Sequence, residues 1–458
     1  MHFKQFYVGC LAHASYLIGD RGEAVVVDPS RDVQMYLDEA VAHGLKIRWI
    51  LETHLHADFV SGHRELAERT GAIIAIGAKA EAGYSHRALN EGDEVRVGDV
   101  VVRALETPGH TPESLCFLVY EKASDPKPWA VLTGDTLFVG DVGRVDILSS
   151  RLPVTELAGL MYDSLHGKLL KLPDETKVYP AHGAGSLCGK NISKDSWSTM
   201  GRERLMNPAL VDHGRAAFIA DITRDVPETP VYFLHSRDLN KAGPSLDAQR
   251  AFPLSLTPAQ AAEQVAEGAV LIDTRSIEAH AERHPTGALS VSLDGQYASW
   301  VGTLLRPDEP YVLIVDPERA EEAVMRLSRV GYERAVGILE GGEDAWVTSG
   351  LPTQRLPLVS VAELRPGKDR VLDVRRAGEW DRFHAPGAVH IPLAQLTQRL
   401  HELDRNAEWN VACGSGYRSM IASSVLQRAG FTRVRSIDGG MDAWRQAGLP
   451  VEEAAPAA

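Results

Sequence analysis

The stretch ETHLHADFVSGH, residues 52–63, places three histidines and one aspartate within ten positions: His54, His56, Asp58 and His63. It follows the apolar run IRWIL (47–51), which predicts a β-strand. Loops at strand ends are where a rigid sheet presents ligands, and imidazole and carboxylate groups bind transition metals. We therefore expect a metal site at the end of this strand.

Three later segments also place a histidine or an aspartate just after a predicted strand. They are TPGH, TGD and YPAH, and they contribute His110, Asp135 and His182. A single histidine of this kind is ordinarily a surface or hydrogen-bonded core residue, but the set together predicts a metal centre. The short strands around them (EAVVVD, GAIIAIG, DVVVRALE, WAVLTG, TKVYP) predict an αββα sandwich with the site at one edge of a sheet.

The bulk composition indicates a multi-domain globular enzyme with small substrates. The chain has 458 residues, about three domains by the usual prior. Its net charge of -14 argues against nucleic-acid and anionic-membrane partners. There is no long apolar run and no signal-like N-terminus, so we expect a cytoplasmic protein, with a homodimer as a reasonable assembly. The four cysteines form no CxxC pair, which argues against a disulfide framework or a zinc knuckle.

The C-terminal 200 residues contain an internal repeat with a period of about 100 residues. Residues 270–293 align with 371–393, and 330–352 align with 429–450. Each copy alternates short apolar runs with helical patterns, which is typical of a small parallel-sheet α/β domain. We expect domains at 1–250, 254–353 and 356–453, with a linker over 234–255 and a short joint at 352–357.

The second copy contains a loop suited to a reactive cysteine. The strand WNVA runs into a six-residue loop from Cys413 to Arg418, and a helix is expected to begin near Ser419. Backbone amides and a helix N-terminus at such a turn stabilise a thiolate, so Cys413 is predicted to be a nucleophile. The residues between the two ends are Gly414, Ser415, Gly416 and Tyr417. The first copy has Asp316 in the place of the cysteine, so the middle domain is expected to have a structural or interface role, with a regulatory or small-molecule-sensing role as the alternative.

The motifs HxHxD, GHT, TGD and AHG, in this order, resemble the metallo-β-lactamase superfamily. In its two-metal members a histidine follows the aspartate of the first motif and binds the second metal. Here that position holds Phe59, which has no lone pair to donate, so one metal is expected rather than two.

Within the superfamily the chain resembles the persulfide dioxygenases most. The resemblance implies one Fe(II) per chain, held by His54, His110 and Asp135. Two imidazoles and one carboxylate form the facial triad of non-haem iron oxygenases, which leaves three positions for O2 and a substrate sulfur.

The resemblance also implies roles for residues around the metal. His56, Asp58 and His182 would orient the ligands and bound water. Arg144, in the segment GRVD, would order the iron loop, with a plain surface arginine as the alternative. Cys188 lies in the stretch SLCGKNISKDSWSTMGRERLMNP, which also resembles this family, and whether it contacts the substrate is left open by the sequence. Cys10 and Cys116 lie in strand-like segments, and we expect both to be buried packing residues.

The Cys413 loop, together with DVR (373–375), HAPGAVHIPL and DGGMDAW, resembles the rhodanese sulfurtransferases. Four residues separate Cys413 from Arg418, whereas related phosphatases have five and surround a phosphate. The smaller loop implies a persulfide on Cys413, held by the loop amides and by Arg418.

The two resemblances together imply a function in sulfide detoxification. The first domain would oxidise a thiol persulfide, such as glutathione persulfide, with O2 to sulfite. The last domain would transfer sulfur among thiosulfate, persulfides and sulfite, in a direction that the sequence leaves open. The alternatives are a glyoxalase-II-like glutathione thioester hydrolase with an attached sulfurtransferase, and a non-enzymatic sulfur carrier.

Overall fold

The computed structural model describes residues 1–224, 226, 229–246 and 252–453. The chain divides into two units, Met1–Arg250 with Ser328–Gly331 and Ala251–Leu327 with Tyr332–Ala458. Across the described ranges, no helix combines the length and the apolar character that crossing a bilayer requires.

The first unit is built on two sheets. Its strands in chain order are β1 (His2–Val8), β2 (His13–Asp20), β3 (Glu23–Val27), β4 (Lys46–Leu51), β5 (Ile73–Gly77), β6 (Arg87–Leu89), β7 (Glu94–Val97), β8 (Val100–Glu106), β9 (Leu115–Tyr120), β10 (Ala130–Gly134), β11 (Leu137–Phe138), β12 (Asp141–Val142), β13 (Lys177–Pro180) and β14 (Ser198–Thr199). One sheet has the order β1-β2-β3-β4-β5-β6 and the other β14-β13-β10-β9-β8-β7, while β11 and β12 form a hairpin.

Strand β3 shows why these sheets form a sandwich. Successive side chains on a strand point to opposite faces. Val25 and Val27 pack with Val102 and Phe117 of the second sheet, in the core between the sheets. Ala24 and Val26 pack on the other face, in a cluster with helix residues that include Tyr36 and Leu66. Both faces of the strand are covered, which accounts for its uninterrupted apolar run, and the predicted αββα sandwich is confirmed.

The helices of the first unit cover the sheets, and the last three of them follow the metal-site motifs along the chain. They are Gln34–Ala42, His63–Thr70, Val154–Gly167, Met200–Met206, Arg215–Thr223 and Tyr232–Ala242. The last helix occupies part of the stretch expected to be a linker, so the prediction of a linker over 234–255 is wrong for residues 234–242. Residues 247–251 of that stretch lie outside the described residues, and the domain boundaries remain a prediction.

The second unit contains two parallel sheets with the same topology. Its strands are β15 (Ser255–Leu256), β16 (Val270–Asp273), β17 (His284–Pro285), β18 (Leu289–Ser290), β19 (Tyr311–Ile314), β20 (Ala335–Leu339), β21 (Thr353–Gln354), β22 (Leu358–Val359), β23 (Val371–Asp373), β24 (Val389–His390), β25 (Trp409–Ala412) and β26 (Val434–Ile437). The orders are β15-β20-β19-β16-β18 and β22-β26-β25-β23-β24. The two orders correspond strand for strand, so the prediction of two parallel-sheet α/β domains is confirmed.

The helices of the second unit are interspersed with these strands along the chain, and the last helix follows β26. They are Pro258–Ala266, Ile277–Glu282, Tyr297–Leu304, Ala320–Ser328, Gly342–Thr348, Ala377–Arg382, Leu396–Arg399, Tyr417–Arg428 and Gly440–Gln446. The joint predicted near 352–357 contains β21, which pairs with β17 in an antiparallel ribbon.

The prediction that Cys10 is buried is wrong, whereas Cys116 is buried as expected. Cys10 lies in a single 3-10 turn, Gly9–Leu11, that follows the end of β1. Cys10 is exposed there because the chain leaves the sheet at Gly9, so the residue has no place in the alternating pattern of a strand.

Candidate metal centre and cysteine loop

The three predicted metal ligands lie just beyond the ends of three strands of the sandwich. His54 follows β4, His110 follows β8 and Asp135 follows β10 directly. Gly134, the last residue of β10, has a φ of +51°, and a Cβ there would lie 2.7 Å from Thr53 Oγ1. Only glycine allows this close approach, which places Asp135 beside the loop that carries His54.

The three side chains form one buried cluster. Nitrogen and oxygen ligand atoms of His54, His110 and Asp135 all lie within 4.8 Å of one another. His110 Nε2 lies 3.4 Å from Asp135 Oδ2, and the rings of His54 and His110 are nearly perpendicular at a centroid distance of 4.9 Å.

Hydrogen bonds orient both imidazoles and determine which nitrogen faces the cluster. Thr53 Oγ1 donates to Asp28 Oδ2 at 2.9 Å, so it must accept from His54 Nδ1, which lies 2.9 Å away. His110 Nδ1 lies 2.8 Å from the carbonyl oxygen of Arg144, which can only accept. Both rings therefore carry their proton on Nδ1, and each Nε2 lone pair is available to a metal.

The cluster fits a metal ion because its inward-facing nitrogen and oxygen atoms have no hydrogen-bond partner. His54 Nε2, His110 Nε2 and both carboxylate oxygens of Asp135 are buried without a hydrogen-bond partner. Such groups are costly to bury unless something binds them. Burial and the neighbouring imidazole of His56 also hold the pKa of His54 well below its usual value, which keeps the ring neutral as ligation requires.

His56 lies beside this triad, with a ring centroid 4.2 Å from that of His54, and its Nε2 is close to two carboxylates outside the triad. Its Nε2 lies 3.1 Å from Asp28 Oδ1 and 3.5 Å from Glu52 Oε2. Burial lowers the pKa of His56, but the hydrogen bond to Asp28 and the negative charges of Asp28, Glu52 and Asp58 together outweigh burial and raise the pKa to about 9. Phe59 is fully buried and packs against the rings of His56 and His13, at centroid distances of 4.4 and 4.1 Å. Phe59 thus places a buried apolar ring at the position that a histidine holds in the two-metal proteins that the sequence resembles.

A second buried cluster lies next to the triad and contains one residue whose place the sequence left open. Ligand atoms of Asp58, His182 and Cys188 lie within 4.8 Å of one another. His182 Nε2 lies 3.3 Å from Asp58 Oδ2 and 3.5 Å from Asp135 Oδ1. Burial, then the Asp58 carboxylate, raise the pKa of the Cys188 thiol. The structure therefore brings Cys188 to the metal centre, where it contacts the groups expected to surround the ligands.

Phe59→His tests whether the benzyl group limits the number of metals. If the ring is what leaves the second cluster incomplete, an imidazole there should increase the zinc bound from about one to about two ions per chain. Metal analysis after reconstitution with zinc measures this. Phe6→His, in the cluster between the first sheet and its helices, is the matched control and should not change the count. Two ions bound by the unsubstituted chain would contradict the prediction.

Arg144 is an internal residue and not a surface arginine. It is buried, and its guanidinium forms a two-point ion pair with Asp146, through 2.7 Å bonds to both carboxylate oxygens. The guanidinium also donates to the carbonyl of Leu187 at 3.1 Å, and the Arg144 backbone N donates to the carbonyl of Cys188 at 2.9 Å. Arg144 therefore joins the segment that orients His110 to the segment that carries Cys188.

A cavity of about 230 Å³ adjoins the metal centre. Its walls include Gly143, Arg144, Leu187, Lys190, Phe218 and Ile222. A Cβ on Gly143 would clash with the carbonyl oxygen of Asp135 and would lie 3.1 Å from His110 Nδ1. The cavity and the triad thus share a wall.

The Cys413 loop surrounds the thiol with hydrogen-bonding groups. The N–H of Gly416 donates to Cys413 Sγ at 3.1 Å, and Ser419 Oγ lies 3.6 Å from the sulfur. Backbone amides at the start of Gly440–Gln446 close the loop, since Met441 N donates to the Cys413 carbonyl at 2.7 Å. The helix begins at Tyr417, close to the predicted start near Ser419, and Gly416, with a φ of +109°, precedes it.

Two side chains of the loop have partners that the sequence did not reveal. Arg418 donates to both carboxylate oxygens of Glu379, at 2.7 and 2.6 Å. Tyr417 turns towards the middle domain, where its hydroxyl donates to the Ser292 carbonyl at 3.0 Å. In that domain Asp316 is exposed and precedes a short 3-10 turn, Pro317–Arg319, in place of a cysteine loop.

Comparisons with known proteins agree with this architecture. Residues 8–182 match the family model described as metallo-beta-lactamase superfamily, and residues 257–349 and 360–447 each match the rhodanese-like domain. The chain is 30% identical to the mouse protein persulfide dioxygenase ETHE1, mitochondrial, over 43% of this chain and 70% of that protein. It is 35% identical to the cytoplasmic hydroxyacylglutathione hydrolase of Arabidopsis thaliana, over 39% and 67%.

A solved structure resembles most of the chain. The crystal structure of a metallo-beta-lactamase from Staphylococcus aureus subsp. aureus COL superposes with a TM-score of 0.66 at 33% identity. The similarity covers 74% of this chain and 98% of that one.

Proposed function

The chain belongs to the metallo-β-lactamase superfamily, with two rhodanese-like domains after that fold, and from this premise we propose that it is an iron persulfide dioxygenase fused to a sulfurtransferase. The observation that carries the proposal is the buried set of unpartnered ligand atoms on His54, His110 and Asp135. Two imidazoles and one carboxylate are the donors that non-haem Fe(II) oxygenases use. Iron bound there would supply the redox chemistry that lets O2 react with sulfur.

The residues around the triad would orient the ligands and keep the site dry. The chain of hydrogen bonds from Asp28 through Thr53 holds the His54 ring, and the Arg144 carbonyl holds the His110 ring. Such partners commonly contribute about 10–100-fold to metal affinity or activity. Phe59 is fully buried and offers no lone pair to a metal, which supports a single metal.

The overall reaction would convert a thiol persulfide, O2 and water into the free thiol, sulfite and two protons. The proposed substrate is glutathione persulfide, and the proposed enzyme is cytoplasmic, forms a homodimer and serves sulfide metabolism. Oxygen uptake and sulfite formation on addition of glutathione persulfide test this directly.

Hydrolysis of a glutathione thioester without oxygen uptake would instead support the second candidate, a glyoxalase-II-like hydrolase. The relationship to hydroxyacylglutathione hydrolase and the ligand atoms of Asp58, His182 and Cys188 favour that candidate.

The cavity beside the triad would hold the thiol carrier. It is lined mostly by apolar side chains, with Arg144 and Lys190 among the polar ones. A carrier lying there would extend towards the metal centre past Gly143.

Ile222→Trp tests this placement, because an indole at Ile222 would fill much of the cavity. We expect the KM for glutathione persulfide to rise about 10-fold, the loss expected when roughly 1.4 kcal/mol of binding is removed. Oxygen-electrode kinetics measure it, and metal content should be unchanged. Ala220→Trp on the same helix, at an exposed position, should leave KM as it is. An unaltered KM in the Ile222 variant would place the carrier elsewhere.

Sulfur transfer would take place at Cys413. The Gly416 amide supports a negative sulfur at this position.

A further inference from the structure

We propose that Glu379 sets the donor preference of the Cys413 site, so that the site takes sulfur from thiol persulfides in preference to thiosulfate. The inference rests on the proposed sulfurtransferase function and deepens it by naming the substrate class. Arg418 is the residue that the sequence predicts to bind an anion, and its partner in the structure is Glu379.

Glu379 occupies the face of Arg418 that an anionic substrate would use. Its two carboxylate oxygens accept from Arg418 Nη1 and Nη2 at 2.7 and 2.6 Å. This is the two-point geometry by which a guanidinium binds carboxylates and other oxyanions. Both terminal nitrogens of Arg418 therefore have a carboxylate partner before any substrate arrives. The ion pair also holds the pKa of Glu379 below its usual value despite partial burial, so the carboxylate remains charged.

The ion pair lies over the cysteine loop, on its solvent side. A Cβ built on Gly414 would lie 3.4 Å from Arg418 Nη2 and 4.0 Å from Glu379 Oε1. The side chains of Arg418 and Glu379 are 20% and 31% exposed, whereas Cys413 is 1% exposed. A donor approaching Cys413 from solvent would therefore meet the Glu379 carboxylate.

The charge of the donor then decides how well it binds. Thiosulfate is a dianion, and its sulfonate oxygens would have to compete with Glu379 for Arg418 and tolerate a carboxylate nearby. Like charges a few ångströms apart repel one another, and they do so more strongly near a protein surface than in bulk water. The sulfur of a thiol persulfide has no sulfonate attached, so this donor need not displace Glu379.

The transfer itself is chemically balanced with either donor. The Cys413 thiolate attacks the outer sulfur of R–S–SH, a new S–S bond forms on Cys413, and the bond from that sulfur to R–S breaks. The thiolate RS⁻ leaves and takes a proton from solvent. With thiosulfate the same attack releases sulfite. Neither path needs an oxidant or a reductant.

The test compares the two donors on the full chain with a common thiol acceptor. Glu379→Gln keeps the shape of the side chain and removes its charge. We expect the ratio of kcat/KM for thiosulfate to kcat/KM for glutathione persulfide to rise at least about 10-fold, chiefly through a lower KM for thiosulfate. The matched control is Glu402→Gln, which removes the charge of an exposed glutamate paired with Arg399 at 2.7 Å and should leave the ratio unaltered.

A second measurement does not depend on turnover. The rate at which anionic iodoacetate alkylates Cys413, relative to neutral iodoacetamide, should also rise in Glu379→Gln. An unchanged donor ratio, an equal loss with both donors, or an unchanged alkylation ratio would each overturn the role of Glu379. If the wild-type chain transfers sulfur from neither donor, the proposed sulfurtransferase function fails and this inference fails with it.

Discussion

Asp135→Ala should leave the chain with almost no bound iron and no persulfide-dependent oxygen uptake. Asp135 supplies the only carboxylate of the His54, His110 and Asp135 set, and both its oxygens are buried without a hydrogen-bond partner. Removing it leaves two neutral imidazoles, a poor site for a hard divalent ion. We expect oxygen uptake to fall by more than about 100-fold, because loss of groups that merely orient ligands already costs about 10–100-fold.

Metal analysis and an oxygen electrode measure both effects. Sulfur transfer at Cys413 should persist in this variant, which shows that the protein has folded. Asp163→Ala, at an exposed aspartate paired with Arg215, should retain iron and oxygen uptake. Retained dioxygenase activity in Asp135→Ala would remove this residue from the set of ligands.

Cys413→Ser should abolish sulfur transfer and leave oxygen uptake on pre-formed persulfide nearly intact. The thiolate is the nucleophile at sulfur, and a serine hydroxyl is not ionised at neutral pH, so the Gly416 amide has no anion to support. We expect a fall of about 10³-fold or more, in the range seen when an essential nucleophile is removed.

The matched control is Cys10→Ser, which removes an exposed thiol outside the loop. Transfer from persulfide to a thiol acceptor should be unaffected in that variant. Loss of both activities in Cys413→Ser would show that the two reactions are coupled, and retained transfer would assign the sulfur carrier to another cysteine.

The sequence predicted the strands best where apolar runs are long and end in turn residues. β3, β4, β5, β8 and β10 lie where expected, because both faces of the sandwich strands are buried and the runs are nearly uninterrupted. The first two strands were not identified from the sequence. β1, HFKQFYV, mixes partly buried and exposed residues without strict alternation, and its pairing with β2 depends on partners that a single strand does not reveal.

Side-chain partnerships depend on contacts between distant segments, so the sequence predicted them least. The pair Glu379 and Arg418 joins residues 39 apart, and no motif spacing indicates it. Cys188 reaches Asp58 and His182 because its segment folds back beside the metal loop. Tyr417 was expected within the loop, yet its hydroxyl binds the middle domain. A cavity shared by several segments is equally invisible in one stretch of sequence.

The most direct test of the central claim is the number and kind of metal ions in the wild-type chain. The chain should be purified without oxygen, offered both iron and zinc, and analysed for metal content alongside oxygen uptake. The account predicts about one iron per chain, active with O2 and glutathione persulfide, since the second cluster lacks the imidazole that Phe59 displaces. Two zinc ions per chain, with thioester hydrolysis and no oxygen uptake, would contradict it.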